Sequence, residues 1–253
     1  MGAKKLFLLL ALVLMAAPCF AQELTIAAAA DLQFVLPEIV SDFQKQTGIA
    51  VKTTFGSSGN LSMQIQNGAP FDLLLSADIE YPRRLIAMKA ADGDSLYEYA
   101  EGRLVLWVPN GSRLDLSRGL EALKDPAVGK IAIANPAHAP YGRAAVTALQ
   151  RAGLYDAVAG RIVMGEDIAQ AAQFVQSGAA DAGLIALSLA RAPAAADKGR
   201  YVVLPQDLCP PIRQAAVIVS ASPHRKEAQK FLEFLKQPAT VALMKSYGFS
   251  LPR

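Results

Sequence analysis

Two histidines and two cysteines among 253 residues leave little material for a metal centre or a nucleophilic triad. His138 and His224 stand far apart, and neither is spaced with a cysteine or a second histidine as a zinc site requires. Cys19 lies in the N-terminal apolar segment, so Cys209 is left without a partner for an internal disulfide, and before Pro210 and Pro211 it reads as a small buried hydrophobe. The fold must then be stable through its core alone. Neither a G-x-S-x-G elbow nor a G-x-x-x-x-G-K-[ST] loop occurs. Ser57 or Ser58 with His138 as base is the one conceivable nucleophile pairing. Charge of one sign is also scarce: 25 Lys and Arg face 22 Asp and Glu, with no like-charged run and no basic stripe. That balance gives no footprint for nucleic acid or a membrane surface.

One apolar run is long, and it is at the N-terminus. Lys4 and Lys5, the run Leu6 to Ala17 and the small residue Ala21 form the three regions of a secretory signal, with cleavage expected after Ala21. The run falls short of the ~20 residues that a spanning helix needs. Its removal takes Lys4 and Lys5 with it and lowers the net charge from +3 to +1. The remaining chain is long enough for two small lobes or one large domain, in the oxidising compartment that export implies.

Strand and helix patterns alternate along that remainder. Leu24 to Ala29 reads as a buried strand. Asp31 to Gln46 carries Leu32, Val35, Leu36, Ile39, Val40 and Phe43 at helical spacing, with Pro37 as the discordant residue that bends the helix or confines its first turn. Ile49 to Phe55 alternates as a strand, Ser58 caps a second helix, and Asp72 to Ser76 is a third strand. This βαβαβ opening favours parallel pairing. A second series follows: strands at 104–109, 130–135, 161–165 and 182–187, with helices at 114–124, 141–152 and 167–176. Strands at 201–204 and 215–219 and helices at 224–236 and 239–247 end the chain, too few for a third domain and expected to pack back on the first lobe.

The chemistry-bearing feature is a pair of small-residue junctions between strand and helix, Ala27-Ala28-Ala29-Ala30-Asp31-Leu32 and Phe55-Gly56-Ser57-Ser58-Gly59-Asn60-Leu61. The first N–H groups of a helix lack internal partners and sit at the positive end of its dipole, so such a junction holds an anion without a cationic side chain. Capping is the ordinary use of Ser, Asp and Asn at such places. The junctions gain meaning from their company.

With Asn67-Gly68-Ala69-Pro70-Phe71-Asp72, Ser76-Ala77-Asp78, Asn135-Pro136, Pro140-Tyr141-Gly142, Gly165-Glu166-Asp167-Ile168 and Asp181-Ala182-Gly183-Leu184-Ile185 in order, the chain resembles the periplasmic molybdate-binding proteins of ABC importers. The resemblance implies a two-lobed periplasmic solute-binding fold of type II: α/β, with mixed, mostly parallel sheets, a hinge and an interlobe cleft. It places residues 22–103 with 220–253 in one lobe and 104–219, including hinge-crossing strands, in the other. It implies oxyanion contacts from Asp31, Ser58, Tyr141 and Ile168, with no cofactor and molybdenum bound only as its oxyanion. It also implies an inner-membrane permease as partner, and a monomer suits a carrier. Some family members use a Tyr at the position of Ala186, so Tyr141 is expected to replace that phenol from the opposite wall. Asp31 stands where Ser or Asn is common, and its carboxylate is expected to turn away from a dianion, capping its own helix, unless it is protonated. Three alternatives stay open: a secreted α/β enzyme acting on a phosphorylated or sulfated substrate, a carrier of another oxyanion such as phosphate or sulfate, and a sensing module.

Overall fold

A computed structural model describes residues 23–252; the expected signal segment, residues 1–21, lies outside them. β1 (Glu23–Ala29) is the first strand to be walled in on both sides, pairing in parallel with β2 (Ala50–Gly56) and with β3 (Leu73–Ser76). Between β1 and β2 runs α1 (Val35–Thr47), whose buried residues Val35, Leu36, Ile39, Val40 and Phe43 form one stripe against the sheet. The helix begins later than its periodicity suggests. Residues 30–32 form a separate 3-10 turn, so Pro37 falls in the first turn of α1, where a missing N–H removes no hydrogen bond.

After β2 comes α2 (Ser58–Gln66), and after β3 come α3 (Glu80–Ala87) and β4 (Tyr97–Gly102). The chain crosses once to a second sheet, built from β5 (Leu104–Pro109), β6 (Ile131–Ala134), β7 (Ile162–Gly165), β8 (Ala182–Ala186) and β9 (Gly199–Val203) in the order β7-β6-β8-β5-β9. Its helices are α4 (Pro140–Arg151), the short α5 (Tyr155–Val158), α6 (Ile168–Gln176) and α7 (Leu187–Arg191). A second crossing returns the chain as β10 (Ile212–Ile218), which inserts antiparallel between β3 and β4 to give the order β2-β1-β3-β10-β4. α8 (Arg225–Leu235) and α9 (Pro238–Ser246) then pack on the first lobe, where Phe231 and Phe234 set their rings edge-on to Phe43 at 5.0 and 5.4 Å between centroids.

Three expectations need correction. β10 belongs to the first sheet, so the grouping of 104–219 as one lobe fails at residues 212–218. Parallel and antiparallel pairings are equal in number in each sheet among the described residues, because β5, β9, β4 and β10 all pair antiparallel. The segment expected as one helix at 114–124 is two 3-10 turns broken at Gly119, which takes φ 57°. The first lobe holds two hydrophobic clusters, one of which takes in Ala192 of the second lobe, and the second lobe holds one, into which Ala29, Ala30 and Ala77 of the first lobe pack. These three small residues mark where the lobes meet.

Candidate functional site

At that meeting place a small cavity lies between the strand ends of the first lobe and the helix starts of the second. Asp31, Ser58, Tyr141 and Ile168 all line it, with Ala29, Ala30, Ala77 and Gly56 supplying little bulk. No Lys, Arg or His is among its lining residues. Whatever it holds is met by dipoles, hydroxyls and the carboxyl groups of Asp31 and Asp167.

Three helices begin on the cavity. α2 is capped by Ser57, not Ser58 as expected: Ser57 Oγ accepts the Asn60 N–H at 3.4 Å, and Ser58 is the first helical residue. Fully buried Ser58 accepts the Ala77 N–H on its Oγ at 2.9 Å, which leaves its hydroxyl proton available as a donor. α4 starts with Pro140, which has no N–H, so Tyr141 carries the first donor of that helix. At α6 the Asp167 carboxylate caps the N–H groups of Ala169 and Gln170 at 2.9 and 3.0 Å, and the Ile168 N–H is left over. The order of caps explains why an isoleucine can serve a polar site: only its main chain is needed.

Asp31 neither caps its own helix nor reaches solvent. Its side chain is 1 % exposed, and Oδ2 accepts the Tyr141 hydroxyl at 3.0 Å and the Gln214 Nε2–H at 2.5 Å. Tyr99 donates in turn to Gln214 Oε1 at 2.7 Å, and Ser188 donates to the Asp31 carbonyl at 2.8 Å. Burial pushes the Asp31 carboxyl up to about 6, against the lowering effect of the Gln214 and Tyr141 hydrogen bonds. Burial, and then the nearby Asp31 charge, lifts the Tyr141 and Tyr99 phenols well above their ordinary range. A Cβ at Gly102 would collide with Tyr141 Oη, so the crossing between the lobes makes room for this network. Sequence reasoning missed Gln214, an amide between Arg213 and the apolar run Ala215–Ile218 with no local signal of its role, and it missed Ser188. Ala186, the alternative tyrosine position, is a buried residue ending β8.

Outside the cavity a clasp joins the lobes. Gly59 N–H donates to the His138 carbonyl at 2.9 Å, Asn60 Nδ2 to Glu166 Oε1 at 2.6 Å, and Arg143 to Tyr81 at 2.8 Å and Asp78 at 2.6 Å. Ser57 Oγ meets His138 Nδ1 at 2.8 Å, while His138 Nε2 lies 3.6 Å from Glu166, beyond hydrogen-bond reach. Among the described residues no group of three His, Cys, Asp or Glu is placed to hold a metal ion, and no helix is long and apolar enough to cross a membrane. Cys209 is free and buried.

Two lobes, two crossings and a cavity of helix starts between them are the architecture of a two-lobed solute-binding protein, and over residues 24–250 the chain belongs to the family of bacterial extracellular solute-binding proteins. Within that family its similarity is to molybdate binders. It is 39 % identical to the molybdate-binding protein ModA of Azotobacter vinelandii over 94 % of each chain, and 36 % identical to that of Rhodobacter capsulatus over 98 % of this chain and 95 % of the relative. The solved structure of the Azotobacter vinelandii periplasmic molybdate-binding protein superposes with a TM-score of 0.86 at 36 % identity, covering 91 % of this chain and all of that one.

Proposed function

We propose that this protein captures molybdate in the periplasm and delivers it to the permease of an ABC importer. The observation that carries the reading is the cation-free cavity at which the starts of α2, α4 and α6 converge, in a chain whose near relatives bind molybdate. Ser58 offers a hydroxyl and an N–H, Tyr141 and Ile168 offer N–H groups from the opposite lobe, and Asp31 completes the wall. A ligand that touches both lobes favours the closed arrangement over the open one, as hinge closure requires. Molybdate and tungstate, fully deprotonated near neutral pH, present only acceptors to these donors; sulfate, equally deprotonated, is excluded by size. No cofactor enters this reading, and the carrier works as a monomer without turnover.

Calorimetric titration of the anion-free mature protein tests it. One-to-one binding of molybdate and tungstate with submicromolar Kd, more than about 8 kcal/mol, with neither sulfate nor phosphate competing, is the expected result. Tight phosphate binding overturns the ligand assignment. The enzyme alternative rests on the Ser57–His138 contact; hydrolysis of a phosphorylated or sulfated substrate, lost in Ser57→Ala, would replace the carrier reading.

A further inference from the structure

One carboxylate oxygen in the cavity wall is unfinished. Asp31 Oδ2 is saturated by the Tyr141 hydroxyl and the Gln214 amide, whereas Oδ1 is buried without any hydrogen-bond partner. Nearly all buried polar atoms in folded proteins are paired, and an orphaned one costs its full desolvation. The surroundings offer Asp31 no positive charge. Tyr141 faces it from α4, Tyr99 from β4 through Gln214 of β10, and Ser188 from α7 on its carbonyl, and both phenols remain neutral donors. The other carboxylate on the cavity wall, Asp167, is committed to the first turn of α6. A dianion entering here would meet a bare negative charge in a site with no cation to offset it.

Resting on the oxyanion-carrier reading, we propose that Asp31 binds the ligand as a neutral carboxylic acid, with its proton on Oδ1 donated to an anion oxygen, so that each anion captured above neutral pH brings one proton with it. Oδ1 is the oxygen that takes the proton because Oδ2 already accepts two donors. The charge balance is simple: protein carboxylate, one proton and a dianion give a complex with the dianion's own charge. Burial already holds the empty-site carboxyl at about 6, and an adjacent dianion can only raise it further. Proton uptake also supplies a release step, since opening the cleft rehydrates Asp31, frees the proton and restores a charge that repels the anion.

The test is titration of the mature protein with molybdate between about pH 7 and pH 9, each pH in two buffers of different ionisation heat. Linkage predicts uptake approaching one proton per anion and an affinity that falls by nearly tenfold per pH unit. Asp31→Asn, whose amide N–H stands in for the acid's O–H, is expected to bind without proton uptake and with a flat pH profile. Tight wild-type binding with no proton uptake and no pH dependence overturns the proposal and leaves the carrier reading intact. Uptake that persists in Asp31→Asn also overturns it, by moving the proton elsewhere. Failure of the wild type to bind molybdate at any pH overturns the carrier reading itself.

Discussion

Two buried aspartates sit at opposite ends of β1 and have opposite fates. At its start, Asp72 is 3 % exposed and fully partnered: Oδ2 takes the Thr25 N–H at 2.7 Å and the Thr25 hydroxyl at 2.8 Å, and Oδ1 takes the Ser222 hydroxyl at 2.7 Å and faces His224 Nδ1 at 3.2 Å. Burial works to raise its pKa, but the Ser222, Thr25 and His224 hydrogen bonds together hold it below its ordinary value. At the other end, Asp31 has two partners where Asp72 has four, both on Oδ2 and none on Oδ1, and burial wins. Depth alone does not decide the charge of a carboxylate. The number of donors aimed at it does, and the end left incomplete is the end that opens on the cavity.

The comparison can be broken at either end. Asp72→Ala strands the Thr25 N–H and the Ser222 hydroxyl in the interior and is expected to destabilise the protein by on the order of 3 kcal/mol in denaturant unfolding. Because its folded pKa is depressed, the stability that Asp72 contributes is present above the unfolded value near 4 and is lost as pH falls through the folded one. Ser58→Ala removes a donor from a dry wall, and molybdate affinity measured by calorimetry should fall by about 1.5–3 kcal/mol. Asp31→Asn sharpens the contrast by acting in the reverse sense, raising the stability of the anion-free protein by about 1–3 kcal/mol at pH 7. Here the folded pKa is raised, so the wild-type deficit grows from about pH 4 to about pH 6 and is constant above; thermal melts of both proteins at pH 5 and pH 7 would show it. Asn60→Ala touches only the exposed clasp to Glu166 and should weaken molybdate binding by less than about 1 kcal/mol.

How far the molecule was legible in its sequence follows the same division. α1 could be read because Val35, Leu36, Ile39, Val40 and Phe43 obey one helical period, and β1 because Leu24–Ala29 is apolar at every position but Thr25, as a buried parallel strand tends to be. β4 could not, since Tyr97–Gly102 is half polar and takes its strand conformation from pairing with the distant β10. Nor could α3, whose Pro82 lies in the first turn of an arginine-bearing segment. In the cavity, Ser58 and Ile168 were named through the resemblance to molybdate-binding proteins, and in the structure both open helices after strands. Gln214 was not visible, because nothing local distinguishes an amide that faces Asp31 from one that faces solvent; only the return of the chain brings the two together. Nothing local to His224 signals its contact with Asp72 either.

That return has a consequence for the order in which the protein can assemble. β4 is an edge strand whose one neighbour is β10, and β10 also completes the flank of β3. A nascent chain that has produced β1 to β4 therefore holds a first lobe whose sheet has a vacant slot, and the slot is filled only after the whole second lobe has been synthesised. Such long-range closure is slow. The leading half of the chain therefore cannot complete its sheet until the trailing half is present.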